Sequence, residues 1–177
     1  MFPAELHAAV KRLAREGLAR TAPANERAAA VVVLDTHVWM ECLHWRDPKV
    51  APLARALPEG RLTAALSEEA LMELAGVLSR PAFGAQQRDV LAVLEAAAAG
   101  AHWISPEALV AAAGELEAMH VRCRDPEDQK FLSLALAADA SMLFTRDRLL
   151  TKAAKKLRGS GVAALVPEAW PERSGES

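Results

Sequence analysis

The chain has 177 residues, a formal net charge of −2 and an apolar fraction of 52%, which predict one globular domain. The near-neutral charge excludes a protein that holds nucleic acid by bulk electrostatic attraction alone. No apolar stretch reaches the roughly 18 uncharged residues of a membrane span. Charged residues interrupt positions 11–16, and the two cysteines have neither disulfide nor metal-ligand spacing, so we expect a cytoplasmic protein.

Apolar periodicity and capping signals predict helices and strands that alternate along the chain. Residues 1–29 are predicted as a helix over 3–20 followed by a polar linker at Pro23. The uninterrupted apolar run ending at Leu34 is typical of a strand buried on both faces of a parallel sheet. The remaining predicted elements are helices over 36–43, 50–57, 67–80, 86–99, 106–119, 125–139 and 147–157, and strands over 62–66, 102–104, 141–145 and 162–166. This alternation predicts a parallel α/β domain over 30–170, followed by a polar tail over 171–177.

Two aspartates follow predicted strands directly. Asp35 ends the first strand, and Asp147 comes just after the strand 141–145. In an open parallel sheet the ligand site lies beyond the carboxyl ends of the strands, which is where both residues are placed. An aspartate between a strand and a helix is also an excellent N-cap, so each residue alone fits either interpretation.

Asp128 has the spacing of a residue on the buried side of its helix. It is in register with Phe131, Leu132 and Ala135, and the pattern predicts Lys130 and Ser133 on the opposite side. A buried carboxylate without a partner costs several kcal/mol, so one placed there should be paired, hydrogen-bonded or bound to metal. The structural alternative is that Asp128 is only the third-position acid of a helix capped by Asp125.

Glu73 borders the apolar arc of the predicted helix 67–80, although a surface glutamate is the plainer interpretation. If Glu73 joins Asp35, Asp128 and Asp147, four carboxylates would repel one another without a cation. Hard oxygen ligands of this kind suit Mg²⁺ or Mn²⁺, and Mg²⁺ is commonly completed by substrate phosphate. The residues therefore point to phosphoryl transfer or phosphodiester hydrolysis.

Three further groups of residues carry expectations. The basic stretch 146–158 is either a solvated helix face or, beside an active site, a phosphate-contacting surface. Its candidate nucleic-acid contacts are Arg146, Arg148, Lys152, Lys155 and Lys156. Trp39 and Trp45 are expected in the core rather than as base-stacking platforms. Phosphatases that form an aspartyl-phosphate also use a strand-end aspartate, but the Asp-x-Asp type needs a second carboxylate where this chain has His37.

The order of the acids and the residues around them resemble the PIN-domain nucleases. Residues 32–38, Val-Val-Leu-Asp-Thr-His-Val, are similar to the first motif of that family, an apolar strand ending in Asp-Thr-Asn or Asp-Thr-His. The other matching segments are residues 67–81, 123–132 and 144–147, which place Glu73, Asp128 and Asp147 in the acidic positions of the second, third and fourth motifs, and residues 166–170, which fit the usual Pro-Glu tail.

This resemblance implies a three-layer α/β/α sandwich around a parallel sheet and a ribonuclease site that uses Mg²⁺ or Mn²⁺. In that site the four acids bind metal, and Thr145 supports a metal-binding carboxylate or a phosphate oxygen. The closest branch in motif wording is the toxin half of bacterial toxin–antitoxin pairs, which implies a homodimer and a small antitoxin protein as partner. The alternative is a catalytically inactive PIN-like module that binds RNA or a protein.

The chain departs from the family pattern in three places. His37 replaces the commoner asparagine of the first motif. Residues 1–29 precede the strand that normally begins the domain, which predicts an N-terminal helical extension. Residues 105–122 form a longer connection into the third motif than usual. The last two departures affect the expected groove and partner surfaces more than the expected chemistry.

Overall fold

A computed structural model of the chain describes residues 3–20, 29–83 and 87–171. The predicted linker at Pro23, the first residue of the predicted helix 86–99 and the tail from 172 onward lie outside these residues. Within the described part, the alternation of helices and strands that the sequence predicts is present throughout.

The helices and strands follow the predicted order, with ends that mostly differ by one or two residues. The helices are α1 (Ala4–Arg20), α2 (Thr36–Met40), α3 (Ala51–Ala56), α4 (Glu68–Leu78), α5 (Gln87–Ala98), α6 (Pro106–Ala118), α7 (Gln129–Ala137) and α8 (Arg148–Ala154), and the strands are β1 (Ala30–Leu34), β2 (Leu62–Leu66), β3 (His102–Trp103), β4 (Met142–Phe144) and β5 (Ala163–Leu165).

The five strands form one parallel sheet in the order β3-β2-β1-β4-β5. The central strand is β1, and Val32, Val33 and Leu34 on it are almost completely buried. Burial on both faces explains why this strand is apolar without alternation. The parallel sheet flanked by helices confirms the predicted α/β/α architecture. Because all strands are parallel, the residues that follow β1 and β4 meet at the same edge.

The N-terminal helix α1 packs on the domain. It contacts α4, α5 and β3, and its apolar residues Leu6, Val10 and Leu13 are buried. Close approach is allowed by Gly17, where an added Cβ would lie 2.1 Å from Nε1 of Trp103. The extension that the sequence predicted is therefore part of the hydrophobic core.

The predicted helix 36–43 differs most from the structure. After α2 the backbone widens into a π-helical turn over Glu41–Trp45, which Arg46 ends with a positive φ of 52°. Trp39 is buried as expected, with 4% of its surface exposed. The expectation that Trp45 is a core residue is wrong, because 42% of its surface is exposed. A π-helical turn adds a residue to the helical repeat, which turns the following side chains away from the face that a regular helix would present.

Two helices begin or end in 3₁₀ turns. The predicted helix 125–139 starts as a 3₁₀ turn over Pro126–Asp128, and the predicted helix 147–157 changes to a 3₁₀ turn over Lys155–Ser160. Cys42 and Cys123 are free and buried. Among the described residues, the helices are all too short or too polar to cross a bilayer.

Candidate active site

The four predicted acids line one cavity at the carboxyl end of the sheet. The cavity has a volume of about 580 Å³, and Asp35, Glu73, Asp128 and Asp147 all contribute to its wall. They reach it from four different places: the residue after β1, the middle of α4, the 3₁₀ turn before α7 and the loop after β4. The structure therefore brings together residues that are up to 112 positions apart in the sequence.

Asp35 is both a buried acid and a helix cap. Its Oδ1 accepts a hydrogen bond of 2.8 Å from the backbone N–H of Val38, in the first turn of α2. Only 7% of its surface is exposed. Burial raises the pKa of Asp35, and hydrogen bonds from Thr145 and Val38 partly oppose that rise. Capping accounts for one oxygen of Asp35, but not for the placement of its charge in the cavity wall.

Thr145 connects two of the acids. It is fully buried, and its side chain hydrogen-bonds Asp35. Its Oγ1 also accepts a hydrogen bond of 3.0 Å from the backbone N–H of Asp147. The hydroxyl therefore holds the end of β1 and the loop after β4 at a fixed separation.

Asp147 caps α8 while its side chain faces the same cavity. Its Oδ1 accepts hydrogen bonds from the backbone N–H groups of Leu149 (2.5 Å) and Leu150 (2.8 Å). Unlike Asp35, it is exposed. Both strand-end aspartates are therefore N-caps and cavity acids at once, so the two interpretations that the sequence left open do not exclude each other.

Asp128 experiences the charge of the whole group. Burial raises the pKa of Asp128 to about 6, and the next cause is the charge of Asp147, followed by those of Asp125, Glu73 and Asp35. The carboxyl is half-buried in the cavity wall rather than placed in the core. Asp125 has the capping role expected of it, because its Oδ1 accepts from the backbone N–H of Glu127 at 3.0 Å.

Glu73 is held by two polar neighbours. Its Oε1 accepts a hydrogen bond of 2.6 Å from the hydroxyl of Thr36. Its Oε2 forms an ion pair with Nζ of Lys130 at 2.6 Å. The sequence placed Lys130 and Ser133 on the side of the helix opposite its buried stripe, but neither is a solvated surface residue: Lys130 reaches Glu73, and Ser133 is buried. The reason is that α7 is covered on more than one side, because it contacts α6 and α4 as well as β1.

Arg146 is committed to carboxylates rather than free for nucleic acid. Its Nε lies 2.6 Å from Oε1 of Glu41, and its NH2 lies 2.6 Å from Oε1 of Glu168. These hydrogen bonds raise the pKa of Arg146 and lower that of Glu168. Glu41 is 5% exposed and also lies 3.4 Å from Nε2 of His37. Sequence reasoning missed Glu41, although a glutamate so close to a buried aspartate on the following helix is a signal that could have drawn attention to it.

The rest of the predicted basic surface lies outside the cavity wall. Arg148, Lys152, Lys155 and Lys156 are exposed, and none of them lines the cavity. Nζ of Lys156 donates a hydrogen bond of 3.3 Å to the backbone carbonyl of His120. A cation that sequence reasoning overlooked, Arg80 at the end of α4, is exposed and does line it.

The four carboxylates of the cavity are oxygen ligands of the type that divalent cations prefer, although their side chains do not surround a single point. Among the described residues, no three His, Cys, Asp or Glu side chains form a group that could hold a metal ion. The donor chemistry nonetheless fits, because four carboxylates share one cavity, and after burial the charges of the neighbouring acids are what raise the pKa of Asp128. A hard cation bound by oxygen ligands is what would remove that repulsion.

The raised pKa of Asp128 predicts how the metal-free protein responds to pH. Below about pH 4, the ordinary range of the group, Asp128 is protonated in both the folded and the unfolded state. As pH rises through about 6 the folded protein must give up a proton that it holds more tightly than the unfolded chain, so this contribution to stability is lost. We therefore expect Asp128→Asn to raise the free energy of unfolding at pH 7 by about 1–2 kcal/mol, after discounting for the partial exposure of the group.

Urea denaturation in EDTA checks this expectation. Asp128→Asn and the wild-type chain should have similar stability near pH 4 and diverge above pH 6. Parallel stability curves for the two proteins over the whole range would show that Asp128 does not experience the neighbouring charges.

A family model described as the PIN domain matches residues 31–149, which is about two thirds of the chain and includes all four acids of the cavity. No curated protein and no solved structure matches the chain.

Proposed function

The chain belongs to the PIN-domain family, whose members are generally nucleases, and on that basis we propose that it is a Mg²⁺- or Mn²⁺-dependent endoribonuclease. The observation that carries the proposal is the shared cavity of Asp35, Glu73, Asp128 and Asp147. A protein that only binds RNA gains nothing from four carboxylates in one cavity, because their negative charges repel phosphate. A metal-dependent nuclease needs such carboxylates to bind the cation that in turn binds the phosphate of the substrate.

The four acids and the residues that position them have defined roles in this proposal. Asp35, Asp128 and Asp147 supply the oxygen ligands, and Thr145 fixes the position of Asp35 through its hydroxyl. If these residues held a divalent ion, it would supply a water molecule of lowered pKa and would neutralise charge that develops on the phosphate. Glu73, positioned by Thr36 and Lys130, completes the acidic wall. A side chain that is already held loses little freedom when substrate arrives.

The biological setting we propose is the toxin half of a toxin–antitoxin pair, with a small antitoxin protein as partner and a homodimer as the assembly. Support comes from the wording of the motifs, above all the Asp-Pro-Glu-Asp-Gln-Lys-Phe-Leu stretch of residues 125–132. A short neighbouring gene that encodes a DNA-binding protein would favour this setting. Unchanged growth on expression in a bacterial host would argue against it.

Cleavage of a mixture of single-stranded and structured RNA tests the proposed activity. Product should form with Mg²⁺ or Mn²⁺, stop in EDTA and return when metal is restored in excess. RNA that stays intact in every condition but is retained by the protein would replace the nuclease with the alternative, an inactive PIN-like binding module. Cleavage that survives EDTA would contradict the metal requirement.

The position of Arg80 predicts a salt-dependent contact with the nucleic-acid backbone. We expect Arg80→Gln to weaken RNA binding and to reduce the slope of log affinity against log salt by about 0.7, the value for one phosphate contact on a single strand. Lys155→Gln and Lys156→Gln should each have the same kind of effect if the exposed basic surface follows the substrate beyond the cavity. Fluorescence anisotropy at several salt concentrations measures the slope.

Lys11→Gln, on the exposed side of α1, is the matched control because it removes one positive charge away from the cavity. A slope that is unchanged in Arg80→Gln would remove this residue from the interface. Equal slopes in the lysine variants and the control would mean that residues 155 and 156 belong only to a solvated surface.

A further inference from the structure

An aromatic surface forms one side of the acidic cavity. The Trp45 ring contacts His37 in an edge-to-face arrangement with ring centroids 5.1 Å apart. It also contacts Phe83, with centroids 5.9 Å apart. All three side chains line the same cavity as the four acids. This aromatic surface of His37, Trp45 and Phe83 has no part in the chemistry proposed above.

The exposure of Trp45 follows from the backbone rather than from chance. In the π-helical turn Glu41–Trp45, Met40 and Trp45 are five residues apart and both line the cavity. The left-handed conformation of Arg46 then ends the turn directly after the tryptophan. π-Helical turns are uncommon, cost helix regularity and occur frequently at functional sites. Here the turn places an indole ring, 42% exposed, against the reactive cavity.

We propose that the aromatic surface, above all Trp45, stacks an unpaired base of the substrate beside the acidic cavity. This inference rests on the proposed function and adds a base-binding position to it. With the scissile phosphate at the carboxylates, the base next to it falls against the cavity wall that Trp45 forms. A base in a duplex is already stacked on its neighbours, whereas a base in a single strand is free to stack on a protein ring.

Charge and shape favour a nucleotide over an apolar protein segment as the occupant. The aromatic surface is continuous with the acids that would bind metal and phosphate, and Arg80 lines the same cavity. A base, its phosphate and the next phosphate would therefore each meet a matching group: a ring, a metal ion on carboxylates and a guanidinium. An apolar protein segment would cover Trp45 but leave these charged groups without partners.

Binding of short single-stranded RNAs, measured by fluorescence anisotropy with Mg²⁺, tests the proposal. All proteins carry Asp128→Asn so that the RNA stays intact during the measurement. One RNA has natural bases throughout, and a series of others each lack one base at successive positions. We expect Trp45→Ala to weaken binding of the natural RNA about tenfold, Trp45→Phe to retain most of the affinity, and duplex RNA to be affected little.

The base-deleted RNAs give the decisive comparison. At one position the missing base should weaken binding to the parent protein, while Trp45→Ala should bind that RNA and the natural one equally. Met119→Ala is the matched control, because Met119 is also 42% exposed but lies outside the cavity wall. Thermal denaturation establishes that each variant is folded.

Three results would overturn the proposal. The first is equal RNA affinity of Trp45→Ala and its parent, and the second is a similar loss of affinity for duplex and single-stranded RNA in Trp45→Ala. The third is that Trp45→Ala weakens the binding of every base-deleted RNA as much as that of the natural RNA. Unchanged RNA binding together with loss of binding to a protein partner would assign the aromatic surface to that partner. These outcomes are independent of the metal-dependent cleavage that tests the proposed function in the protein with Asp128 intact.

Discussion

Asp35→Asn should lower the rate of RNA cleavage at least about a hundredfold while the protein stays folded. Removal of a residue that only supports a metal ligand costs about 10–100-fold, so loss of a ligand itself should cost more. Asparagine keeps an oxygen that can accept from the backbone N–H of Val38, and asparagine and aspartate are about equal as N-caps. Because burial disfavours the Asp35 charge, the neutral variant should be at least as stable as the wild-type protein.

Asp125→Asn is the matched control for this experiment. Asp125 is also a capping aspartate and lies three residues from Asp128, but it is exposed and does not line the cavity. We expect its cleavage rate to remain within a few-fold of wild type, and that of Asp128→Asn to fall as far as that of Asp35→Asn. Equal rates for Asp35→Asn and Asp125→Asn, with both proteins folded, would reduce Asp35 to a structural cap.

Gly17→Ala should destabilise the protein by about 2 kcal/mol. The new Cβ would lie 2.1–2.4 Å from three atoms of the Trp103 ring, and that ring is 3% exposed and cannot move aside. Overpacking of this kind costs about 1–3 kcal/mol. The three overlaps place the cost at the upper end, and about 1 kcal/mol of helix propensity gained by alanine offsets part of it. For a chain of this length the expected fall in Tm is about 4–8 °C.

Gly114→Ala should stabilise the protein, although it is the same glycine-to-alanine change. Gly114 lies within α6 and is exposed, and nothing stands within 4 Å of a Cβ added there. Only the propensity gain remains, so stability should rise by about 0.5–1 kcal/mol. Thermal denaturation of both variants decides the matter. If Gly17→Ala is as stable as Gly114→Ala, α1 does not pack against β3.

The sheet could be predicted from local sequence because its strands carry strong signals. The apolar run before Asp35 is typical of a strand that is buried on both faces of a sheet. The alternation of strands and helices along the chain then predicts that the neighbouring strands are parallel to it. The capping residues Ser67 and Asp125 marked helix starts that the structure confirms. The meeting of Asp35 and Asp147 at one edge also followed, since both come directly after parallel strands.

Other features of the site depend on three-dimensional packing that no local pattern encodes. The π-helical turn moved Trp45 out of the core, because a pattern drawn on a regular helix of 3.6 residues per turn cannot anticipate an inserted residue. The pairing of Lys130 with Glu73 joins residues 57 positions apart. The capture of Arg146 by Glu41 and Glu168 joins three separate segments. Arg80 and Arg146 both line the cavity, but these pairings occupy the guanidinium of Arg146, so Arg80 is the better candidate for a contact with substrate.

The account depends most on whether the acidic cavity binds a divalent cation, and Mn²⁺ titration by calorimetry measures this directly. The wild-type protein and Asp125→Asn should both bind Mn²⁺ at pH 7, Asp35→Asn should not, and wild-type binding should weaken near pH 5 as Asp128 takes up its proton. Absence of binding to the wild-type protein at pH 7, or equal binding by Asp35→Asn, would contradict the metal-dependent nuclease.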